Sequence, residues 1–291
     1  MGAQIAQLLA QSGLSVSAYD VSEAQLHSGL DLVRKGKYGL ENSVAKGRMT
    51  EEEADNALSR ITLLTSLEDT CKGSDFVLEA AVEDLDTKRE IFSKASVYAN
   101  QDAILASNTS TLTISRISES FSPKVRARIA GMHFFNPPQV MKLVEVVRTR
   151  ETNTEVVSKI EALCASLRKT PVEVLDSPGF VANRIGISVF AEASSLLEKG
   201  IASVRDIDLA MRLGYGYPMG PFELGDLVGL DSRLRNMEAM YSDTQDERFR
   251  PPKILEKLVS EGYLGDPKTK RGSKGGYYEY FGLKRPGEDN G

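Results

Sequence analysis

The chain has 291 residues and 41% hydrophobic content, enough for two domains with real cores. A formal net charge of -5 and no concentrated basic face argue against a nucleic-acid partner. No apolar run approaches the ~20 residues of a membrane span, and the two cysteines, Cys71 and Cys164, lie far apart without ligand spacing, which argues against a disulfide framework and a metal site.

In chain order, the apolar runs 14–19, 61–65, 75–81 and 103–107 read as strands, followed by Ala127–Phe135, Met141–Val147 and Pro171–Leu175. Amphipathic stretches separate them, such as Asp86–Tyr98 and Thr50–Leu58, the latter opening with the capping-box pair Thr50 and Glu53. This alternation predicts an α/β, Rossmann-like domain with a mainly parallel sheet over residues 1–175. Past Asp176-Ser177-Pro178-Gly179 the pattern changes to helical periodicity at 180–199, 204–213, 231–241 and 252–261, so residues 176–291 are expected to form an all-helical domain.

The pair His133 and Glu145 is the sharpest chemical signal. The histidine ends the apolar run ARIAGMHFF, which Asn136-Pro137-Pro138 stops, and the acid sits inside the next run, LVEVV. A carboxylate in a buried strand costs several kcal/mol unless paired. Neighbouring strands would let Glu145 orient the imidazole as a general base, whose ordinary pKa of ~6.5 suits proton removal from an alcohol. A structural ion pair fits the two residues equally well.

Other signals are weaker alone. Gly2 at a helix start and Asp20 at a strand end fit the later half of a dinucleotide-binding unit, where the acid binds the ribose 2′-hydroxyl and repels a 2′-phosphate, so NAD is the form expected. Ser107-Asn108-Thr109-Ser110 follows a strand, where open α/β sheets bind ligands, yet also reads as an ordinary helix cap. Asn183, early in the first helix of the second domain, is placed to bind a carbonyl or simply to pack. Tyr217-Pro218-Met219-Gly220-Pro221-Phe222-Glu223 reads as a turn into a helix, and His27 as exposed.

Together the strings MGAQIA, EAAVED, SNTS, GMHFFNPP, MKLVEVV, DSPGFVANR and GYPMGPFELGDLVGLD resemble the 3-hydroxyacyl-CoA dehydrogenase family, in particular its short single-function members, over essentially the whole chain. The resemblance implies NAD as cofactor, an acyl-CoA substrate, and a helical domain that serves substrate binding and homodimerisation. It implies that His133 is the general base, Glu145 its partner, and Ser110 and Asn183 substrate-orienting groups. Asn136 would shape the site, and Gly2, Asp20, Glu83, Lys88 and Asn108 match positions near the cofactor. The reaction would convert a 3-hydroxyacyl-CoA to a 3-ketoacyl-CoA, or the reverse.

The family pattern begins with a strand and a GxGxMG turn, whereas this chain starts at that methionine. Losing about four buried strand side chains forfeits roughly 6 to 12 kcal/mol, comparable with a domain's ~5 to 15 kcal/mol, so an amino-terminally shortened sequence is the expectation. Lys268, Lys270 and Lys274 are weak candidates for a CoA phosphate contact. A sugar-acid dehydrogenase of the same superfamily, or a non-catalytic paralogue acting as a binding partner, are the competing readings. A cytoplasmic location is expected, with the mitochondrial matrix as an alternative.

Overall fold

The computed structural model describes residues 1–285, which divide into two compact units, Met1–Ser177 and a second beginning at Pro178. The first unit runs α1 (Gly2–Gln11), β1 (Val16–Tyr19), α2 (Glu23–Lys35), α3 (Leu40–Ala45), α4 (Glu51–Ser59), β2 (Ile61–Leu64), α5 (Leu67–Cys71) and β3 (Phe76–Glu79). It continues with α6 (Leu85–Tyr98), β4 (Ile104–Ser107), α7 (Ile114–Ser118), α8 (Pro123–Arg126), β5 (Ile129–Phe134), β6 (Leu143–Arg148), α9 (Thr154–Ser166) and β7 (Thr170–Leu175). The capping box is formed: the Glu53 N–H donates to Thr50 Oγ1 at 3.1 Å, and the Thr50 N–H to Glu53 Oε2 at 2.7 Å.

The strands make two sheets rather than one. β1 and β2 pair in parallel by themselves, and the order in the other sheet is β3-β4-β5-β6-β7. All its pairs are parallel except β5 with β6. This antiparallel pair is reached by the short turn through Asn136-Pro137-Pro138, since a parallel return needs a longer crossover. Strands β4 and β5 are buried throughout, which explains their near-continuous apolar runs. Ala106, Met132, Phe134, Val144 and Val146 pack there against Val157, Ile160 and Cys164 of α9. By contrast β1 and β3 keep partly exposed residues.

The second unit consists of α10 (Ala182–Glu198), α11 (Val204–Tyr215), α12 (Pro221–Val228), α13 (Leu230–Thr244), a 3-10 turn (Glu247–Phe249), α14 (Lys253–Ser260) and α15 (Tyr277–Tyr280), with no strand among the described residues. Phe190, Phe222 and Tyr277 meet ring to ring at its centre, with centroids 4.5 to 5.9 Å apart. Two fully buried acids hold helix starts: Asp208 accepts the N–H groups of Phe222 and Glu223, and Asp226 accepts those of Tyr277 and Tyr278. The turn before α12 needs glycine, because a Cβ on Gly220 would lie 2.3 Å from that of Asp208. Of the lysines weighed for a CoA phosphate, Lys270 pairs with Asp231 and the Lys274 ammonium donates to the Glu261 carbonyl.

Candidate active site

Strands β3, β4 and β5 are parallel, so their carboxyl ends share one edge of the sheet, the edge where open α/β folds bind ligands. His133 lies near the end of β5 and stands directly opposite Glu145 in the antiparallel register with β6. Its Nδ1 is 2.8 Å from Glu145 Oε2, and both side chains are buried, at 7% and 1% exposure. That bond fixes the ring: Nδ1 carries the proton donated to the carboxylate, and Nε2 is the proton-accepting nitrogen. The Phe135 ring leans on the imidazole at 4.7 Å between centroids. Lys169 ties down the following turn, its ammonium donating to the carbonyls of Pro138 and Met141.

The loop after β4 is latched to the same place. Asn108 accepts the Phe134 N–H through Oδ1 at 2.9 Å, one residue beyond the histidine. Its carbonyl side is therefore spent, and its NH2 is the side it can offer as a donor. Glu83 gathers the rest of the loop. Its Oε1 accepts the hydroxyls of Thr109 and Thr111 at 2.5 and 2.8 Å and the N–H groups of Ser110, Thr111 and Leu112 at 3.0 to 3.3 Å. Burial pushes the Glu83 carboxyl up, but the Lys88 ammonium and the Thr109 and Thr111 bonds outweigh it and hold the group at about 2.

Lys88 is enclosed, at 1% exposure, between Glu79 (2.9 and 3.0 Å) and Glu83 (3.3 Å). Glu79 itself is fully buried and takes the Ser107 hydroxyl at 2.6 Å. The sequence names Ser107 only as part of the Ser107–Ser110 run and marks out no role for Glu79. The signal was present, because Glu79 is an acid inside the strand run DFVLEAA, as Glu145 is inside LVEVV.

The remaining candidates are more dispersed. Gly2 opens α1 against Ala80, just past β3; a Cβ there would lie 3.7 Å from the Ala80 Cβ, an ordinary contact, so packing alone does not demand glycine. Asp20 follows β1 and accepts the Ser22 N–H at 3.1 Å. Asn136 is exposed on the turn after β5. Asn183 belongs to the second unit, in the first turn of α10. His27 is exposed, 3.7 Å from Glu23. Among the described residues no group of histidine, cysteine or acidic side chains is arranged to hold a metal.

The donor set fits a dinucleotide. A helix start carries unpaired N–H groups and positive dipole, and that of α1 lies at the carboxyl end of β3, beside the strands that carry His133 and Asn108. Asp20 stands just past the end of β1.

Comparison with known proteins agrees. Residues 1–177 match the model of the 3-hydroxyacyl-CoA dehydrogenase NAD binding domain, and residues 179–280 that of the 3-hydroxyacyl-CoA dehydrogenase C-terminal domain. The chain is 39% identical over 280 residues to a probable 3-hydroxybutyryl-CoA dehydrogenase of Bacillus subtilis, covering 96% of this chain and 94% of that one. It is also 39% identical to the mitochondrial hydroxyacyl-coenzyme A dehydrogenase of Sus scrofa, over 96% and 88% of the two chains. The crystal structure of (S)-3-hydroxybutyryl-CoA dehydrogenase PaaH1 from Ralstonia eutropha superposes with a TM-score of 0.86, at 38% identity and 94% coverage of both chains. With two domain models matched in order and relatives this similar along nearly its whole length, the chain belongs to the 3-hydroxyacyl-CoA dehydrogenase family.

Proposed function

We propose that this chain interconverts a 3-hydroxyacyl-CoA and a 3-ketoacyl-CoA with NAD, using His133 as the general base. The observation that carries this reading is the buried His133–Glu145 pair at the ligand-binding edge of the sheet, with the Asn108 loop bonded to the next residue. Nε2 takes the proton of the substrate's 3-hydroxyl as C3 loses its hydride, and Glu145 stabilises the imidazolium that results. NAD, when bound, supplies the hydride acceptor. In the reductive direction the protonated imidazole returns the proton to the new alkoxide.

Ser110 and Asn183 orient the substrate oxygen and carbonyl, and Asn136 shapes the mouth of the site. Asn108 offers its NH2 near the nicotinamide side. Gly2 and Asp20 serve the cofactor, with the Asp20 charge favouring NAD over NADP. Glu83, just before α6, and Lys88, within it, serve the cofactor through the loop after β4 that they hold. The test is NADH oxidation with acetoacetyl-CoA, set against oxidation of a sugar acid such as gulonate. Saturation by the CoA ester alone supports the reading. Activity on the sugar acid alone, or no activity and no NAD binding, would turn it to one of the competing readings.

The helical unit is proposed as the homodimer surface. Val181 and Ile185 of the α10 start, Met219, and Leu224, Leu227 and Val228 of α12 are all 39% exposed or more, a share of apolar surface that fits association. A cleft of about 230 Å³ between Ile185, Met219 and Leu224 has the buried Arg233 on its wall. Sedimentation equilibrium at micromolar concentration is expected to give a dimer. A reducing compartment, cytoplasm or matrix, is proposed because Cys71 and Cys164 are both buried and unpaired, and burial raises the Cys164 thiol to about 12. No helix among the described residues is long and apolar enough to cross a membrane.

A further inference from the structure

The geometry points to Glu79 as a positioning residue that, through Ser107 on one side and the Lys88–Glu83 bridge on the other, fixes the 107–112 loop and so sets Asn108 beside His133. The inference rests on the dehydrogenase reading above for its effect on turnover, but not for its effect on the loop.

Each main-chain N–H from Asn108 to Leu112 is accounted for by this one network. The Asn108 N–H donates to the Glu79 carbonyl at 2.8 Å, and the Thr109 N–H to Ser107 Oγ at 3.2 Å, the hydroxyl that Glu79 orients. Those of Ser110 and Thr111 go to Glu83 Oε1, and that of Leu112 is shared between Thr109 Oγ1 at 3.0 Å and Glu83 Oε1 at 3.3 Å. Glu83, 35% exposed, is held by the loop on one side and by Lys88 on the other, and Lys88 in turn by Glu79. A buried ammonium pair is poor evidence for stability, because apolar groups of similar volume stabilise as well. Here the bonds converge on a single loop in which Asn108 and Ser110 remain partly exposed.

The enclosed state of Lys88 sharpens the family-based expectation for that position. An amine 1% exposed, within 3.0 Å of both Glu79 oxygens, acts on a bound molecule through the loop it anchors rather than by touching it. Glu79 and Ser107, the last residues of β3 and β4, are thus as much a part of the site's geometry as the residues that line it, although both are buried.

The decisive variant is Glu79→Gln combined with Lys88→Met, which removes both buried charges together and leaves Glu83 to its hydrogen bonds with the loop. Amide hydrogen exchange and steady-state kinetics are measured on the full chain. Exchange at Ser110, Thr111 and Leu112 is expected to quicken at least thirtyfold while amides of β4, β5 and the helical unit keep their protection. With acetoacetyl-CoA and NADH, kcat is expected to fall at least tenfold, with KM for the CoA ester changing less than threefold and the pH profile of kcat keeping its shape. Ser107→Ala, a milder change that spares both charges, is expected to fall in between and decides the matter where the double variant does not fold. Exchange in the loop and kcat both within twofold of the unaltered protein would overturn the inference. Faster exchange in a protein inactive from the outset would retain the network and discard the dehydrogenase reading.

Discussion

Both units bury acids, and they treat them in opposite ways. In the α/β unit, Glu79, Glu83 and Glu145 each face a lysine or an imidazole, and the bonds run toward one loop and one histidine. In the helical unit, Asp208 and Asp226 face mainly main-chain N–H groups at helix starts, and burial raises them to about 6 and about 7 despite those bonds. The first three meet side chains and fix the position of a loop and a ring. Asp208 and Asp226 staple backbone, and the Arg285 guanidinium 3.4 Å from Asp226 does not outweigh its burial.

The largest effect that separates the two kinds is on turnover. Glu145→Gln keeps shape and burial but cannot stabilise an imidazolium, and a general base held this way is worth about 10²- to 10⁴-fold. We expect kcat to drop by about a thousandfold with the melting temperature changed by only a few degrees. Asp208→Asn should do the reverse, leaving kcat within a few-fold and lowering stability by about 1–3 kcal/mol, the usual cost of a misfitted buried hydrogen-bonding group. Kinetics paired with thermal unfolding reads both, and equal losses of kcat in the two variants would erase the distinction.

The next effect is on the pH dependence of unfolding. Asp208 and Asp226 bind protons more tightly folded than unfolded, where an aspartate's ordinary value is 3.8. The stability they lend is therefore greatest below about pH 4 and is lost as pH rises, through about 6 for Asp208 and about 7 for Asp226, at ~1.4 kcal/mol for each tenfold change in proton affinity. Glu83, depressed from 4.5 to about 2, has the opposite sign, and its contribution is complete above about pH 5 and lost only on acidification toward 2. Between pH 5 and 8 the slope should thus come from the helical unit. Asp226→Asn should flatten it, and Glu83→Gln should leave it unchanged when unfolding is followed by calorimetry across that window.

How much of this was legible in the sequence depends on whether a signal is local. The strands, the capping box at Thr50 and the change of pattern near Pro178 are properties of short windows, and the structure shows each of them. The His133–Glu145 pair was legible as two residue types in two adjacent runs, but the register that sets them opposite belongs to the fold. Helices α5, α7 and α8, each of four or five residues, are too short to show a helical period. Glu79 was missed because its partners, Lys88 and Ser107, are nine and 28 residues away, and no spacing rule links them. Asp208 and Asp226 carry no local mark that sets them apart from other acids, and only the packing shows that they point inward.

The smallest predicted effect concerns Asp20, an acid of neither kind: partly exposed, with one oxygen engaged by the Ser22 N–H and no buried cation. Its proposed role is selective rather than catalytic, so the variant to make is Asp20→Asn, which keeps an oxygen for the Ser22 turn and removes the charge. Two unit charges 4 Å apart interact by ~1 kcal/mol in water and ~4 kcal/mol near a protein surface. A half-exposed acid facing a solvated 2′-phosphate belongs toward the lower end. The ratio of kcat/KM for NADH to that for NADPH should therefore fall about ten- to thirtyfold, mostly through KM, with kcat on NADH within twofold. Raising the salt concentration should shrink the difference, since screening acts on exposed charges. An unchanged ratio would mean that Asp20 does no more than close its own turn.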